Sequence, residues 1–410
     1  MRVLLGQTNK SVAHPTITIT GSKSESNRLL VLQALYPNLR LVNLSESDDT
    51  HVLRNGLAQK EGIIDILHAG TAMRFLTAYF TSKEGSGVTL TGSERMQERP
   101  IAVLVDALQS LGADITYTEN EGFPPLKIVG KKLSKASVEI MANISSQYIS
   151  ALLLIAPSLP KGLTLSLEGE ITSVPYITMT LDLLNNLGIA TTFSENTIKV
   201  EPTETIEDTT VIIESDWSSA SYFYSLVALS EGLSVTLKSY HSNSLQGDSV
   251  VATLYESLGV NTSFNPSEAS ITLSKKSVKF PKELKLNLSN SPDIAQTIAV
   301  TCFALGISCE LTGLHTLKIK ETDRIAALKT ELEKLGAKVH STEDSLSISV
   351  SAKIKEHITV DTYDDHRMAM AFAPLAMKIP ITIQDPNVVT KSFPKFWDAL
   401  AKVGISVDYQ

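Results

Sequence analysis

The chain has 410 residues, 43% hydrophobic and 20% charged, with a formal net charge of -8. This is an ordinary globular composition, long enough for two or three cores, and it excludes extensive disorder. The acidic balance excludes a general nucleic-acid binder, which needs a basic face, so any anionic ligand has to be held by a local cluster of cations.

The opening "MRVLLGQTNK" carries only the short apolar run "VLL", too little for a signal sequence. The longest apolar stretch, "MAMAFAPLAMKIPITI" from 368 to 383, is broken by two prolines and Lys378 and falls short of the roughly 20 residues of a membrane span. A cytoplasmic protein without membrane contact is expected. Cys302 and Cys309 read as structural thiols of a reducing compartment. The eight histidines show no HxxxH or Cys/His ligand spacing, so no metal is expected.

In chain order, "GSKSESNR" (21 to 28) first sets small polar residues, Lys23 and Arg28 ahead of "LLVLQAL". A helix start offers free N–H donors and positive dipole charge, so this is either a simple cap or an anion site. Next comes a recurring piece, an amphipathic helix stopped by glycine and followed by a strand. The copies are "LVDALQSLGADITY", "LDLLNNLGIATTF", "VATLYESLGVNTSF", "LKTELEKLGAKVHS" and "FWDALAKVGISVDY", with "HVLRNGLAQKEGIIDI" as an earlier, degenerate copy. Their glycines, 112, 188, 259, 336 and 404, recur at roughly 70 residues, with Gly62 closer to the first, which predicts about six α/β units.

A second set of helices alternates with these, among them "SSQYISALLLIAP", "SSASYFYSLVAL", "PDIAQTIAVTCFAL" and "DHRMAMAFAPLAM". They are apolar nearly all round, as buried helices are. Polar clusters lead them: "HAGTAMR", "ISSQY" and "YDDHR", with "KIKETDR" ahead of "IAALKTELEKLG". In "KETDR" the spacing of Lys320 and Arg324 predicts one shared helix face, with Glu321 three residues from Arg324; a solvated ion-paired helix start is the plain alternative. In "YDDHR" the run Asp364, Asp365, His366 suits a metal, but the adjoining Arg367 opposes a cation and favours an anion. The candidate cations are Lys23, Arg28, Arg74, Arg99, Lys320, Arg324, Arg367 and Lys391, and the candidate acids Asp293, Glu321 and Asp365. Guanidinium forks grip phosphate and carboxylate, and carboxylates in different settings move protons. The residues alone stop at a phosphorylated acid and proton transfer.

In order and context, "GSKSESNR", "AGTAMR", "RMQERP", "SSQY", "SVPYI", "SPDIAQTIA", "IKETDR", "DDHRMAM" and "KSFP" resemble 5-enolpyruvylshikimate-3-phosphate (EPSP) synthase over essentially the whole chain. The resemblance implies an α/β fold of two similar domains, each of three βαβαββ units with buried helices and outer sheets, an inside-out α/β barrel. It places one domain at 22–215 and the other at 1–21 plus 216–410, with crossings near Gly21 and Ser215 and the active site in the cleft between. The implied reaction transfers the enolpyruvyl group of phosphoenolpyruvate to the 5-hydroxyl of shikimate 3-phosphate, on the way to chorismate and aromatic amino acids, in a monomer without metal or organic cofactor.

Carried over by position, the resemblance assigns shikimate 3-phosphate to Lys23, Ser24, Arg28, Ser145, Ser146, Gln147, Ser173, Tyr176, Asp293, Thr316 and Lys320. Phosphoenolpyruvate falls to Lys23, Gly70, Arg99, Gln147, Arg324, Arg367 and Lys391. Asp293 resembles the proton acceptor and Glu321 the acid that protonates the methylene carbon, with Lys23 and His366 beside them. Three departures stand out: His68 and Thr316 where the family usually has asparagine, and Phe75 where it has proline. The first unit is shortened between Asp49 and Gly70, and is expected to lack a strand or hairpin. The rivals are the transferase that uses UDP-N-acetylglucosamine, which usually carries a reactive cysteine in its first domain where residues 1 to 301 here have none, and a non-catalytic anion-binding relative.

Overall fold

Six helices bury most of their residues, and in five of them those residues are mainly apolar. The computed structural model describes residues 1–7, 14–143, 145–349 and 353–410. They form two compact units, Ser22–Ile213 and Met1–Gly21 with Glu214–Gln410. None of the described helices is long and apolar enough to cross a membrane.

In the unit Ser22–Ile213 the buried helices are Lys23–Leu35, Gly70–Ser82 and Ser146–Ile155, packed against one another. Helices Asp48–Leu57, Ala102–Leu111 and Val174–Asn186 keep one face exposed. Two sheets share one plan. Strands Glu61–Asp65 and Gly87–Thr91 pair in parallel, Leu126–Val129 adds antiparallel to the second, and Asp114–Tyr117 closes the edge. Strands Ser137–Met141, Leu163–Glu168, Thr197–Val200 and Thr191–Ser194 repeat that order and sense. A parallel step requires a crossover, and in each case a buried helix makes it, which yields the βαβαββ unit.

The first repeat is the exception. Its sheet has two strands, Leu39–Val42 and Thr209–Ile212, paired in parallel. No hairpin follows helix Asp48–Leu57, and the next strand, Glu61–Asp65, already belongs to the neighbouring sheet. This corrects the reading of Gly62 as a helix stop: the helix ends at Leu57 with Ala58 as its cap, and Gly62 lies inside the strand with φ 92°. With the hairpin gone, the chain passes from one repeat's outer helix directly into the next repeat's first strand.

In the other unit the buried helices are Trp217–Leu229, Ala295–Leu305 and His366–Phe372, and their apolar residues, Cys302 and Cys309 among the neighbours, fill one continuous core. Three four-stranded sheets follow the same plan. Strand Thr16–Thr18 pairs in parallel with Ser234–Lys238, and Arg2–Gln7 lies between Ile381–Gln384 and Ile405–Tyr409. Gly21 and Ser215, where the chain was expected to cross, form an antiparallel bridge with each other.

The repeat glycines at 112, 188, 259, 336 and 404 all have positive φ. Gly112 shows why: at φ 105° its N–H reaches the carbonyl of Gln109 and that of Ala113 reaches Leu108, each at 2.9 Å. A Cβ on Gly112 would meet no atom within 4 Å, so only backbone strain opposes it. Gly112→Ala is expected to cost about 1–2 kcal/mol, read as a lower urea midpoint with unchanged slope.

Candidate active site

Ser22 caps helix Lys23–Leu35 by accepting from the Glu25 N–H, so Lys23 and Arg28 fall in its first two turns. Lys23 Nζ pairs with Asp49 Oδ2 at 3.1 Å. Arg28 is 3% exposed and spends its donors on neutral groups: Nε on Thr180 Oγ1 at 2.7 Å, Nη1 on the Ser24 carbonyl at 2.8 Å, and Nη2 on Ser150 Oγ at 3.0 Å and the Tyr176 carbonyl at 3.2 Å. The Phe75 and Tyr176 rings lie 5.7 and 5.8 Å from its guanidinium carbon. Burial pushes Arg28 down to about 10, so it remains cationic at neutral pH, and its partners named here are all neutral.

Helix Gly70–Ser82 begins without a side-chain cap, and its first residue is crowded by Arg99: a Cβ on Gly70 would collide with that guanidinium. Arg74, placed among the candidate cations, serves instead as an internal brace. It donates to the carbonyls of Gly70 at 3.2 Å and Pro100 at 3.0 Å and stacks near Tyr148, with burial holding it down at about 10. His68 bonds Ser93 Oγ at 2.8 Å, and Ser93 caps the short helix Glu94–Gln97 that leads to Arg99. Ser145 caps helix Ser146–Ile155, and Gln147 Nε2 donates to Thr71 Oγ1 at 3.2 Å, tying two helix heads together. Ser173 stands at φ 55° immediately before helix Val174–Asn186, which delivers Tyr176 toward Arg28.

In the other unit one guanidinium gathers three acids. Arg324, 2% exposed, bonds Asp365 Oδ2 at 2.6 Å, Asp293 Oδ1 at 3.0 Å and Glu321 Oε2 at 2.8 Å. Burial lowers its proton affinity, and Asp365, Glu321 and Asp293 more than reverse this, so the cation is held firmly. Asp293 also pairs with Arg367 Nη2 at 3.0 Å, and Glu321 with Lys391 Nζ at 3.0 Å. Lys320 Nζ stands 3.8 Å from Asp293, its proton affinity lowered by burial. Asp365 caps helix His366–Phe372 through the Arg367 N–H, and the fully buried His366 has Nδ1 3.7 Å from Asp365. Thr316 keeps its Oγ1 buried, without a hydrogen-bond partner among the described residues.

Comparison with known proteins decides the family. The model for EPSP synthase (3-phosphoshikimate 1-carboxyvinyltransferase) matches residues 38–400. A 3-phosphoshikimate 1-carboxyvinyltransferase of Bacteroides fragilis is 46% identical over 412 residues, covering 99% of both chains. One of Vibrio campbellii is 37% identical, covering 94% of this chain and 95% of its own. The chain belongs to the EPSP synthase family. Its fold matches solved structures at lower identity: an EPSP synthase of Acinetobacter baumannii (TM-score 0.78, 20% identity, all of both chains) and an enolpyruvyl transferase of Streptomyces tendae (TM-score 0.75, 13% identity, 100% and 99%).

Within this EPSP synthase fold, two readings need correction or addition. Lys320 and Arg324 do not share a helix face. Asp323 accepts from the N–H groups of Ile325 and Ala326, so the helix begins only at Arg324, and the two cations meet through Asp293 instead. Asp49, Ser150 and Thr180, which hold Lys23 and Arg28, escaped the sequence reading because they lie in ordinary helix-start and helix-interior patterns.

Removing Asp365 leaves a buried guanidinium short of charge. Asp365→Ala is expected to destabilise the fold by about 3–5 kcal/mol, measured by urea denaturation.

Proposed function

We propose that the two sets of side chains, one in each unit, act together on one pair of substrates, phosphoenolpyruvate and shikimate 3-phosphate. The transfer moves the enolpyruvyl group to the 5-hydroxyl and releases phosphate, as an enolpyruvyl transferase of the shikimate route to aromatic amino acids. One observation carries the site assignment: Asp293 and Glu321 stand in a single ion-paired network with Arg324, Arg367 and Lys391. Two acids and three cations held within bonding distance supply what addition and elimination at an anionic enol ester require.

In this reading Arg28, Ser24, Ser145, Ser146, Gln147, Ser173, Tyr176, Thr316 and Lys320 receive shikimate 3-phosphate. Arg28 suits an anion because its present partners are neutral. The Thr316 hydroxyl, without a partner among the described residues, has a hydrogen bond to give. Gly70, Arg99, Gln147, Arg324, Arg367 and Lys391 receive phosphoenolpyruvate, and Lys23 reaches both.

Asp293 takes the proton of the 5-hydroxyl as its oxygen bonds to C2 of the enolpyruvyl group. Glu321 gives a proton to the methylene carbon, producing the tetrahedral adduct. Phosphate then leaves as one proton of the new methyl group passes back to the Glu321 carboxylate, which restores the double bond. His366 is a buried neighbour of the acid cluster in this scheme. The cations stabilise charge as it develops because they are already oriented. The enzyme works as a monomer in the cytoplasm. The acceptor is shikimate 3-phosphate rather than UDP-N-acetylglucosamine, as the curated relatives are named for that activity.

The deciding experiment is phosphate release from phosphoenolpyruvate with each acceptor in turn. Release with shikimate 3-phosphate alone is expected, falling by at least about 100-fold in Asp293→Ala; release with UDP-N-acetylglucosamine, or full activity in the variant, refutes the reading. Gly70→Ala should raise the KM for phosphoenolpyruvate about tenfold or more by displacing Arg99, with less effect on the KM for shikimate 3-phosphate.

A further inference from the structure

The roles assigned above leave Asp248 unused, although it is a buried acid beside them. It lies in the single turn Gly247–Val250, 5% exposed. Among the described residues its carboxylate accepts a hydrogen bond from one side chain, the Ser218 hydroxyl. Ser218, in the first turn of Trp217–Leu229, in turn accepts from Arg367 Nη2 at 3.3 Å. A hydroxyl has one proton to give. Since that proton goes to Asp248, the oxygen lone pairs face Arg367. The same guanidinium donates from Nη1 to the Asp293 carbonyl at 3.0 Å and pairs through Nη2 with Asp293 Oδ2 at 3.0 Å. Arg367 is thus held between two acids, Asp293 directly and Asp248 through one oxygen.

We propose that Asp248 is a positioning residue for the transfer: through Ser218 it holds Arg367 against Asp293, and its charge sets how much of the Arg367 charge is left for phosphoenolpyruvate. This rests on the reading of Asp293 and Arg367 given above. The charged groups facing Asp248 are Asp293, ahead of helix Ala295–Leu305, Arg367, in helix His366–Phe372, and Asp216, the cap of Trp217–Leu229. Burial and the negative charge of Asp293 push Asp248 up to about 7, with Arg367 and the Ser218 hydrogen bond opposing and Asp216 adding to the rise. Its charge therefore changes near neutrality. Below that point Arg367 faces one anion, and above it two, so affinity for phosphoenolpyruvate should weaken as pH rises.

The test measures kcat and both KM values between about pH 6 and 8.5 in the intact protein, Asp248→Asn and Ser218→Ala. The ionisations of the substrates' own phosphates are common to all three proteins and cancel in ratios. The expected result is that the wild-type KM for phosphoenolpyruvate, divided by that of Asp248→Asn, rises about threefold or more across this range, while the same ratio for shikimate 3-phosphate stays flat. Ser218→Ala should raise the KM for phosphoenolpyruvate at every pH yet keep the pH step, since the charge remains. A flat ratio, or equal changes for both substrates, overturns the proposal; Ser218→Ala, which deletes one hydroxyl, decides the question if the asparagine variant does not fold. Arg367→Ala is the control for the underlying reading: full activity there removes the site assignment itself, whereas a flat ratio with an inactive Arg367→Ala removes only Asp248.

Discussion

Arg324 has to be buried and charged at once, and much of its unit is arranged to make that possible. A lone guanidinium in an apolar interior is expensive. Here its cost is offset by acids from three places in the chain: Asp293 ahead of helix Ala295–Leu305, Glu321 just before the helix of Arg324 itself, and Asp365 at the head of His366–Phe372. Because one side chain bonds all three, three helix starts are locked in mutual register. The remaining valences of Asp293 and Glu321 then fix Arg367 and Lys391. The network that keeps one charge in the interior also orients the groups assigned to chemistry, so preorganisation and stability are the same set of bonds.

The unit Ser22–Ile213 meets a similar demand differently. Arg28 is also buried, but hydroxyls, carbonyls and aromatic rings surround it in place of acids. It therefore keeps its positive field, whereas that of Arg324 is largely answered by its neighbours. Arg74 braces the loop of Arg99 in the same neutral fashion.

The repeat was legible because a helix stopped by glycine and followed by an alternating strand leaves a mark in the order of residues. Buried helices were legible because they lack a polar face. What the sequence could not reveal was partnership across distance. Asp248 and Ser218 are separated from Arg367 by more than a hundred residues and sit in commonplace helix-start patterns. Local spacing also misled where a cap intervened: Lys320 and Arg324 looked like one helix face until Asp323 claimed the first free N–H groups. Phe75 read only as a departure from the family pattern, and the structure gives it a contact, its ring lying beside Arg28.

The pairing of the first strands with much later ones of the same unit bears on how the chain assembles as it is made. Strand Thr16–Thr18 waits for Ser234–Lys238, and Arg2–Gln7 waits for Ile381–Gln384 and Ile405–Tyr409. The unit Ser22–Ile213 is continuous in the chain, and its last strand, Thr209–Ile212, pairs with Leu39–Val42 of the same unit. Domains fold as units during synthesis when their residues have emerged. The continuous unit is thus free to fold while the ribosome is still working, with the opening strands held in reserve. The acid cluster around Arg324 comes together only after residue 365 has appeared, so the assigned catalytic groups are among the last parts of the molecule to be set in place.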